Sequence, residues 1–544
     1  MWSCGVSHKT RSENLFSDFP ILLLREHIPL VFRGNSTISH NFCWVRNIDK
    51  CSFRTRGEDF FRMNHKMVLF TTGQIILLEA ALLLLPLIAA AVYGEGCIRA
   101  FFFTILICLV CGVGLIVLCK PKNRVIYAKE GFLIVTLSWL LLSALGALPF
   151  YISREIPSYI DAFFETVSGF TTTGASILVN LEELSRGLLF WRSFTHWIGG
   201  MGVLVLMMAI VPSSGSSGRS IHIMRAEMPG PVVGKLVPRV RETAKILYII
   251  YIVMTAAQVI LMCVGGMPFF DSLLHAFGTA GTGGFGIRAD SIASYSPFLQ
   301  WVITVFMLLF GVNFNLYYLI LIRSFRPVLR SSELWCYLGI VGISVALITG
   351  NILPLYHSIA DALRHASFQV ATIITTTGYA TTDFNLWPQF SKGILFVLMF
   401  IGGCAGSTAG GLKVSRIMLM LGNARRDLSK MLHPRSVSVV QIDGKKADPA
   451  AVNGLSTYLT LYFLMIAVVF LILCLEPFDF ETNLTAAVSC FNNVGPGFGA
   501  VGPASSYAAY SAGAKLVLSA AMLLGRLEII PLVIAVIPST WTKK

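Results

Sequence analysis

The sequence predicts an all-α polytopic membrane protein: four internal repeats of helix, pore helix and helix around one central pore, preceded by two extra transmembrane helices. Three observations predict it. Hydrophobic residues make up 55% of the 544 positions and charged residues 13%, a balance that excludes disorder and argues against a soluble enzyme. Ten apolar runs are long enough to cross ~30 Å of hydrocarbon: 69–93, 100–119, 131–152, 188–211, 246–267, 298–322, 334–356, 391–421, 455–475 and 513–537. Finally, Thr171–Gly174, Gly281–Gly284, Thr375–Gly378 and Asn492–Gly495 repeat one pattern, each behind a short apolar stretch and ahead of a long one. In that layout one chain supplies all four quadrants of a ring of backbone carbonyls.

The chain divides accordingly. Residues 1–66 are mixed in character, carry Cys4, Cys43 and Cys51, and show no sustained periodicity. They are expected to be a non-native or disordered extension, with translation starting at Met63 or Met67. Residues 67–130 hold the two extra helices. The repeats follow at 131–212, 213–323, 324–450 and 451–544. In the first, Ser158–Phe170 is too short to cross and ends in threonines and a glycine. Non-helical backbone at membrane depth must be buried in protein or line a watery cavity. Asp161, Asp271 and Asp361 open three of these half-helices, where a carboxylate caps the helix start and complements its dipole.

Each half-helix points its partially negative C-terminal end at the cavity, which favours a cation. Threonine offers oxygens, and glycine lets the backbone turn its carbonyls toward an axis. The candidate potassium ligands are Thr172, Thr173 and Gly174; Thr282 and Gly283; Thr376, Thr377 and Gly378; and Asn493, Val494 and Gly495. Gly174, Gly283, Gly378 and Gly495 are expected to form one ring. Neutral carbonyls suit the larger, more easily dehydrated ion, with a sodium-permeable carrier as the alternative.

Net charge is +14. Of the 32 Lys and Arg beyond residue 66, 23 fall in alternate segments: 120–130, 212–245, 323–330, 413–446 and the last two residues. The positive-inside rule places that side, and both termini, in the cytoplasm. Topology thus accounts for the basic charge without nucleic-acid binding. The stretch Gly281–Gly286 matches a dinucleotide fingerprint, but no strand precedes it. The cysteines show no metal spacing. Glu79, Glu165, His196, His275 and His365 are scattered over separate units, which argues against an enzyme.

Two further features break the apolar pattern. Gly402, Gly403, Gly406, Gly410 and Gly411 interrupt the run 391–421. Five glycines weaken a helix by ~0.8–1 kcal/mol each, so a gating loop is expected rather than a helical packing face. Arg526 lies mid-way along 513–537, where a charge is costly and usually functional. Facing the pore, it would oppose cation passage. The basic inner loops 212–245 and 413–450, with Arg225, Arg239, Arg241, Arg425, Arg426 and Arg435, are expected to dock an acidic or nucleotide-binding cytoplasmic protein, and otherwise to meet membrane lipid.

At these residues the chain resembles the Trk/Ktr/HKT superfamily of potassium transporters, and its Trk-type membrane subunit in particular. The resemblance covers roughly 67–544. It rests on the four loop segments in order, the Gly402–Gly411 interruption, Arg526, and the two extra helices at 69–93 and 100–119. It implies potassium as the transported ion, no organic cofactor in this chain, and location in the inner membrane. It also implies a homodimer with one pore per protomer and a cytoplasmic ring of regulatory subunits that bind NAD or ATP. Channel-like and ion-coupled transport are both compatible with it.

Overall fold

The structure is a computed structural model that describes residues 64–122, 126, 128–202, 240–435, 439–443, 445–446, 449–527 and the isolated positions 529, 532, 533 and 537. The expected extension up to residue 63, the inner loop with Arg225 and Arg239, and most of 528–544 lie outside the described residues. Among these, regular structure is helical apart from a two-residue ladder, Gln441–Ile442 antiparallel to Lys445–Lys446.

Among the described residues, six helical stretches are long and apolar enough to cross a membrane: His65–Tyr93, Ile98–Leu118, Lys129–Ile152, Glu242–Val264, Ser332–Tyr356 and Gly454–Leu473. The first starts inside the expected extension, because the Asn64 side chain accepts a hydrogen bond from Met67 N at 3.1 Å and caps it. His65–Leu82 packs on both Ile98–Leu118 and Ala128–Gly146. Gly73 and Gly112 let the first pair approach closely: a β-carbon on Gly73 would lie 3.0 Å from Gly112 O, a small-residue contact of the kind that brings helices together in lipid.

The other four expected runs do not form single long helices, and they are the same element of each repeat. The helices that follow the four loops are Arg186–Gly200, Pro297–Phe310, Gln389–Ile401 and Ala512–Arg526. At ~1.5 Å per residue they extend roughly 20–23 Å, short of the hydrocarbon thickness. The second bends by 92° into Phe314–Leu321 at Gly311–Asn313, where Asn313 Oδ1 caps the new helix by accepting from Asn315 N at 2.9 Å. The third stops at Gly402, whose φ is +76°. Because glycine, alanine and leucine all read as apolar, composition counts these runs as continuous. The breaks are conformational.

Candidate ion-conducting site

Four short helices, Tyr159–Phe170, Phe269–Gly281, Ile359–Ile374 and Phe480–Asn492, carry the candidate ligands on their C-terminal ends. Their starts differ from expectation. The N-cap positions are Ser158, Pro268, Ser358 and Asp479. Asp161, Asp271 and Asp361 sit in the first turn instead, where they still complement the dipole. Asp161 is also tied to the last helix through Lys515 Nζ at 2.7 Å.

Every helix ends in the same way. Thr172, Thr282, Thr376 and Asn493 adopt left-handed backbone, with φ of +56°, +55°, +53° and +57°. The next N–H reaches five residues back in each: Thr173 to Ser168 O at 2.9 Å, Gly283 to Gly278 O at 2.8 Å, Thr377 to Thr372 O at 2.7 Å and Val494 to Ser489 O at 2.9 Å. A glycine with φ of +81°, +72°, +87° or +99° follows: Gly174, Gly284, Gly378 and Gly495. This geometry corrects the expected register by one residue. Gly284, not Gly283, is the counterpart of Gly174; Gly283 stands where the other repeats carry Thr173, Thr377 and Val494. The left-handed residue is what anchors the loop. Four non-glycine residues held left-handed cost ~1–2 kcal/mol each, a strain that persists only where surrounding structure fixes it.

The loops close on one another in sequence order. A β-carbon on Gly174 would overlap Gly283 O, and one on Gly284 would overlap Thr377 O. One on Gly378 would lie 2.5 Å from Val494 O, and one on Gly495 would lie 2.6 Å from Thr173 O. The ring is therefore continuous, each glycine seating the carbonyl of the next loop. All four glycines line one cavity of about 500 Å³, together with Arg192, Arg288 and Tyr507.

Side chains hold the loops from behind. Thr171 and Thr173 hydroxyls pair at 2.8 Å, as do Thr375 and Thr377 at 2.7 Å. Asn493 Nδ2 donates to Thr173 Oγ1 at 2.9 Å and to Met522 O at 3.0 Å, which links the fourth loop to the first. Tyr507 OH donates to Gly495 O at 2.8 Å. The hydroxyl of Thr376 accepts from Gly410 N at 2.6 Å and that of Thr282 donates to Gly281 O at 2.6 Å. Both are occupied by protein.

A fully buried ion pair braces the first two loops. Arg192 Nε meets Glu165 Oε1 at 2.6 Å. The other Glu165 oxygen accepts from Ile177 N at 3.0 Å, and Oε1 also accepts from Ser176 Oγ at 2.9 Å. Arg192 Nη1 donates to Gly286 O at 2.8 Å, and its guanidinium lies 3.5 Å from the Phe285 ring centroid. Sequence reasoning took Glu165 alone. The signal for its partner was present, since Arg192 is a charge inside the apolar run 188–211.

On the far side of the ring, Gly402–Lys413 is a non-helical segment. A helical face through Gly402, Gly406 and Gly410 does not form. The segment is bonded to two other repeats, the second and the fourth. Cys404 N donates to Gly311 O at 2.9 Å, and Phe314 N to Gly406 O at 3.0 Å; Gly411 N donates to Asn492 O at 3.1 Å. Ala405 N donates to Glu333 Oε1 at 2.7 Å, and the buried Lys413 ammonium donates to Ala409 O. Gly403 packs against Gly311 O at 3.0 Å from a built β-carbon.

Arg526 is the last residue of its helix rather than the middle of a span. It is 9% exposed. Its Nη1 donates to Thr408 O at 3.0 Å, and its Nη2 donates to Gly199 O at 2.6 Å and to Gly200 O at 2.9 Å. A cation on the last carbonyls of Arg186–Gly200 satisfies groups the helix end leaves open. The guanidinium thus bridges the first repeat and the glycine-rich segment. Glu528, its nearest acidic neighbour in sequence, lies outside the described residues.

The family profile described as TrkH, cation transport protein, matches residues 97–338 and 343–543. The chain belongs to the TrkH family of cation transport proteins. It is a multi-pass membrane transporter and not an enzyme. Among its relatives, Trk system potassium uptake protein TrkH of Salmonella typhimurium is 36% identical over 490 residues, covering 88% of this chain and 100% of the relative. TrkG of Escherichia coli K12 is 33% identical over 477 residues, covering 86% of this chain and 97% of the relative. The crystal structure of the potassium transporter TrkH from Vibrio parahaemolyticus superposes with a TM-score of 0.79 at 34% identity, over 88% of this chain and 100% of that one.

Proposed function

We propose that this protein takes up potassium across the inner membrane through the four-loop ring, which acts as a selectivity filter. The observation that carries the reading is the closed cycle Gly174, Gly284, Gly378, Gly495, with each glycine seating the carbonyl of the next loop. Carbonyls held at fixed spacing replace the hydration shell of an ion that gives up water readily. The relatives named for potassium uptake support the choice of ion. In this reading the 500 Å³ cavity is the outer vestibule.

Gly402–Lys413 is the gate and Arg526 its latch. The segment lies beneath the ring, touches it at Thr376 and Asn492, and is held at Thr408 by Arg526. The basic helix Val414–Leu432 continues directly from the segment. Its exposed Arg425, Leu428, Met431 and Leu432 offer a cytoplasmic nucleotide-binding subunit a surface from which to pull on it. A homodimer with both termini inside completes the assembly. The test is rubidium uptake into proteoliposomes with no organic substrate. Uptake that potassium competes away and sodium does not is expected; equal competition would favour the sodium-permeable reading, and no flux would overturn both. Gly174→Ser should relax the preference toward sodium, since a side chain there meets Gly283 O.

A further inference from the structure

The second quadrant of the ring lacks side chains that the other three possess. At the position after the left-handed residue the other loops carry Thr173, Thr377 and Val494, and the second carries Gly283. At the carbonyl that this N–H reaches, the others carry Ser168, Thr372 and Ser489, and the second carries Gly278. Neither space is empty. A β-carbon on Gly278 would overlap the hydroxyl of Tyr379, from the third repeat. One on Gly283 would lie 2.5 Å from both Cδ2 and Nδ1 of the His196 imidazole, from the first repeat. His196 is completely buried and stacks on Phe285, centroids 4.1 Å apart and planes at 23°. Its ring nitrogens have no partner on the second loop; the polar group bearing on them is the backbone of Ser168, in the first repeat. Its backbone also abuts Gly281, so it follows the descending chain of the second loop on both sides of Thr282.

Resting on the filter reading above, we propose that His196 is a specificity-determining positioning residue: its imidazole stands in, from the neighbouring repeat, for the side chain that Gly283 lacks. Toward Gly283 the ring acts by its shape, since what it presents there is a steric contact. Interiors are close-packed, and a vacated side-chain volume lets its lining relax. Behind Gly283 that lining is the carbonyl-bearing backbone itself, so the vacancy would let the second quadrant retreat from the axis. Selectivity, which depends on the spacing of four carbonyls, should suffer before overall stability does. Gly283 has no left-handed φ, so its backbone admits a side chain once the imidazole is gone.

The experiment is a double-mutant cycle in proteoliposomes, reading potassium over sodium preference, with detergent melting as the folding control. His196→Ala should fold and lose about tenfold of the preference. Gly283→Thr alone should also lose preference, because its β-carbon meets the imidazole. His196→Ala combined with Gly283→Thr should recover much of the loss, since the side chain then sits on the loop itself as it does in the first and third repeats. The shape-conserving His196→Phe should keep most of the preference. Wild-type selectivity in His196→Ala, or a double variant as poor as the two losses combined, overturns the inference. If the single variants do not fold, recovery of melting in the double variant supports it and no recovery overturns it. Gly174→Ser separates the two levels of failure. If that variant shifts selectivity and the His196 series does not, only this inference falls; if neither does, the filter reading falls with it.

Discussion

The ring and the segment beneath it are both built from glycine-rich backbone, yet they are held by opposite means. The ring is redundant. Each quadrant closes its own helix with the same left-handed residue and the same five-residue hydrogen bond, and each glycine is locked by the next loop. The segment Gly402–Lys413 is held instead by scattered polar contacts, and the Arg526 guanidinium connects it to the first repeat. A structure fixed by four mutually blocking contacts suits a filter, which must not change. One fixed by a few exchangeable polar contacts suits a gate, which must.

The largest effect is expected where the ring is most crowded. Gly378→Val places a branched side chain at φ of +87°, with Val494 O 2.5 Å from its first carbon. Left-handed strain of ~1–2 kcal/mol adds to a clash with backbone that cannot rotate away. Selective uptake should fall to background. A variant that keeps selective rubidium uptake would show that the ring is not locked by mutual blocking.

Next in size is the brace. Arg192→Met leaves the Glu165 carboxylate buried without its charge partner, and removing one member of such a pair costs ~3–5 kcal/mol. The detergent melting temperature should drop sharply, and Glu165→Gln combined with Arg192→Met should recover part of the loss. Additive losses in the double variant would mean that the two side chains support the loops independently.

Arg526→Ala is expected to act in the opposite direction. Hydrogen bonds to a charged group contribute ~1.5–3 kcal/mol each, so if the proposed gate is right, removing the guanidinium should free the segment to open. Flux should rise several-fold with little change in apparent affinity, which the ring sets. Arg526→Lys keeps the charge but not the planar fork that reaches three carbonyls, and should fall between. Loss of assembly in Arg526→Ala would make the residue a structural strut and put the two regions on the same footing.

The sequence carried six of the expected spans because hydrophobic length is compositional, and long apolar helices stand there among the described residues. It carried the four loops because each ends in a glycine behind a short apolar stretch, with threonine in the first three and asparagine in the fourth. It missed what composition does not encode. The breaks after Gly200, at Gly311, at Gly402 and after Arg526 are conformational, and they turned four expected spans into short helices. The one-residue shift to Gly284 depends on which residue turns left-handed. The place of Arg526 at a helix end, facing carbonyls of Gly199 and Gly200, depends on where that helix stops. His196 was visible only as a lone histidine, because its partner is an absence at Gly283, more than eighty positions away in the chain.

The smallest expected effect tests whether ring closure needs the charges on its perimeter. Lys392, on the helix after the third loop, pairs with Glu481 of the fourth pore helix at 2.9 Å, much as Lys515 joins the fourth repeat to Asp161 of the first. Glu481 is 47% exposed, so water competes for its carboxylate. Pairs of that kind contribute ~0–1 kcal/mol. Lys392→Met keeps the aliphatic stem and removes the ammonium, which also lies 5.3 Å from the Phe498 ring centroid. Melting should move by a few degrees at most, with selectivity unchanged. A loss of selectivity comparable to that of a ring glycine would mean that long-range charges between repeats, rather than contact between neighbouring loops, set the carbonyl spacing.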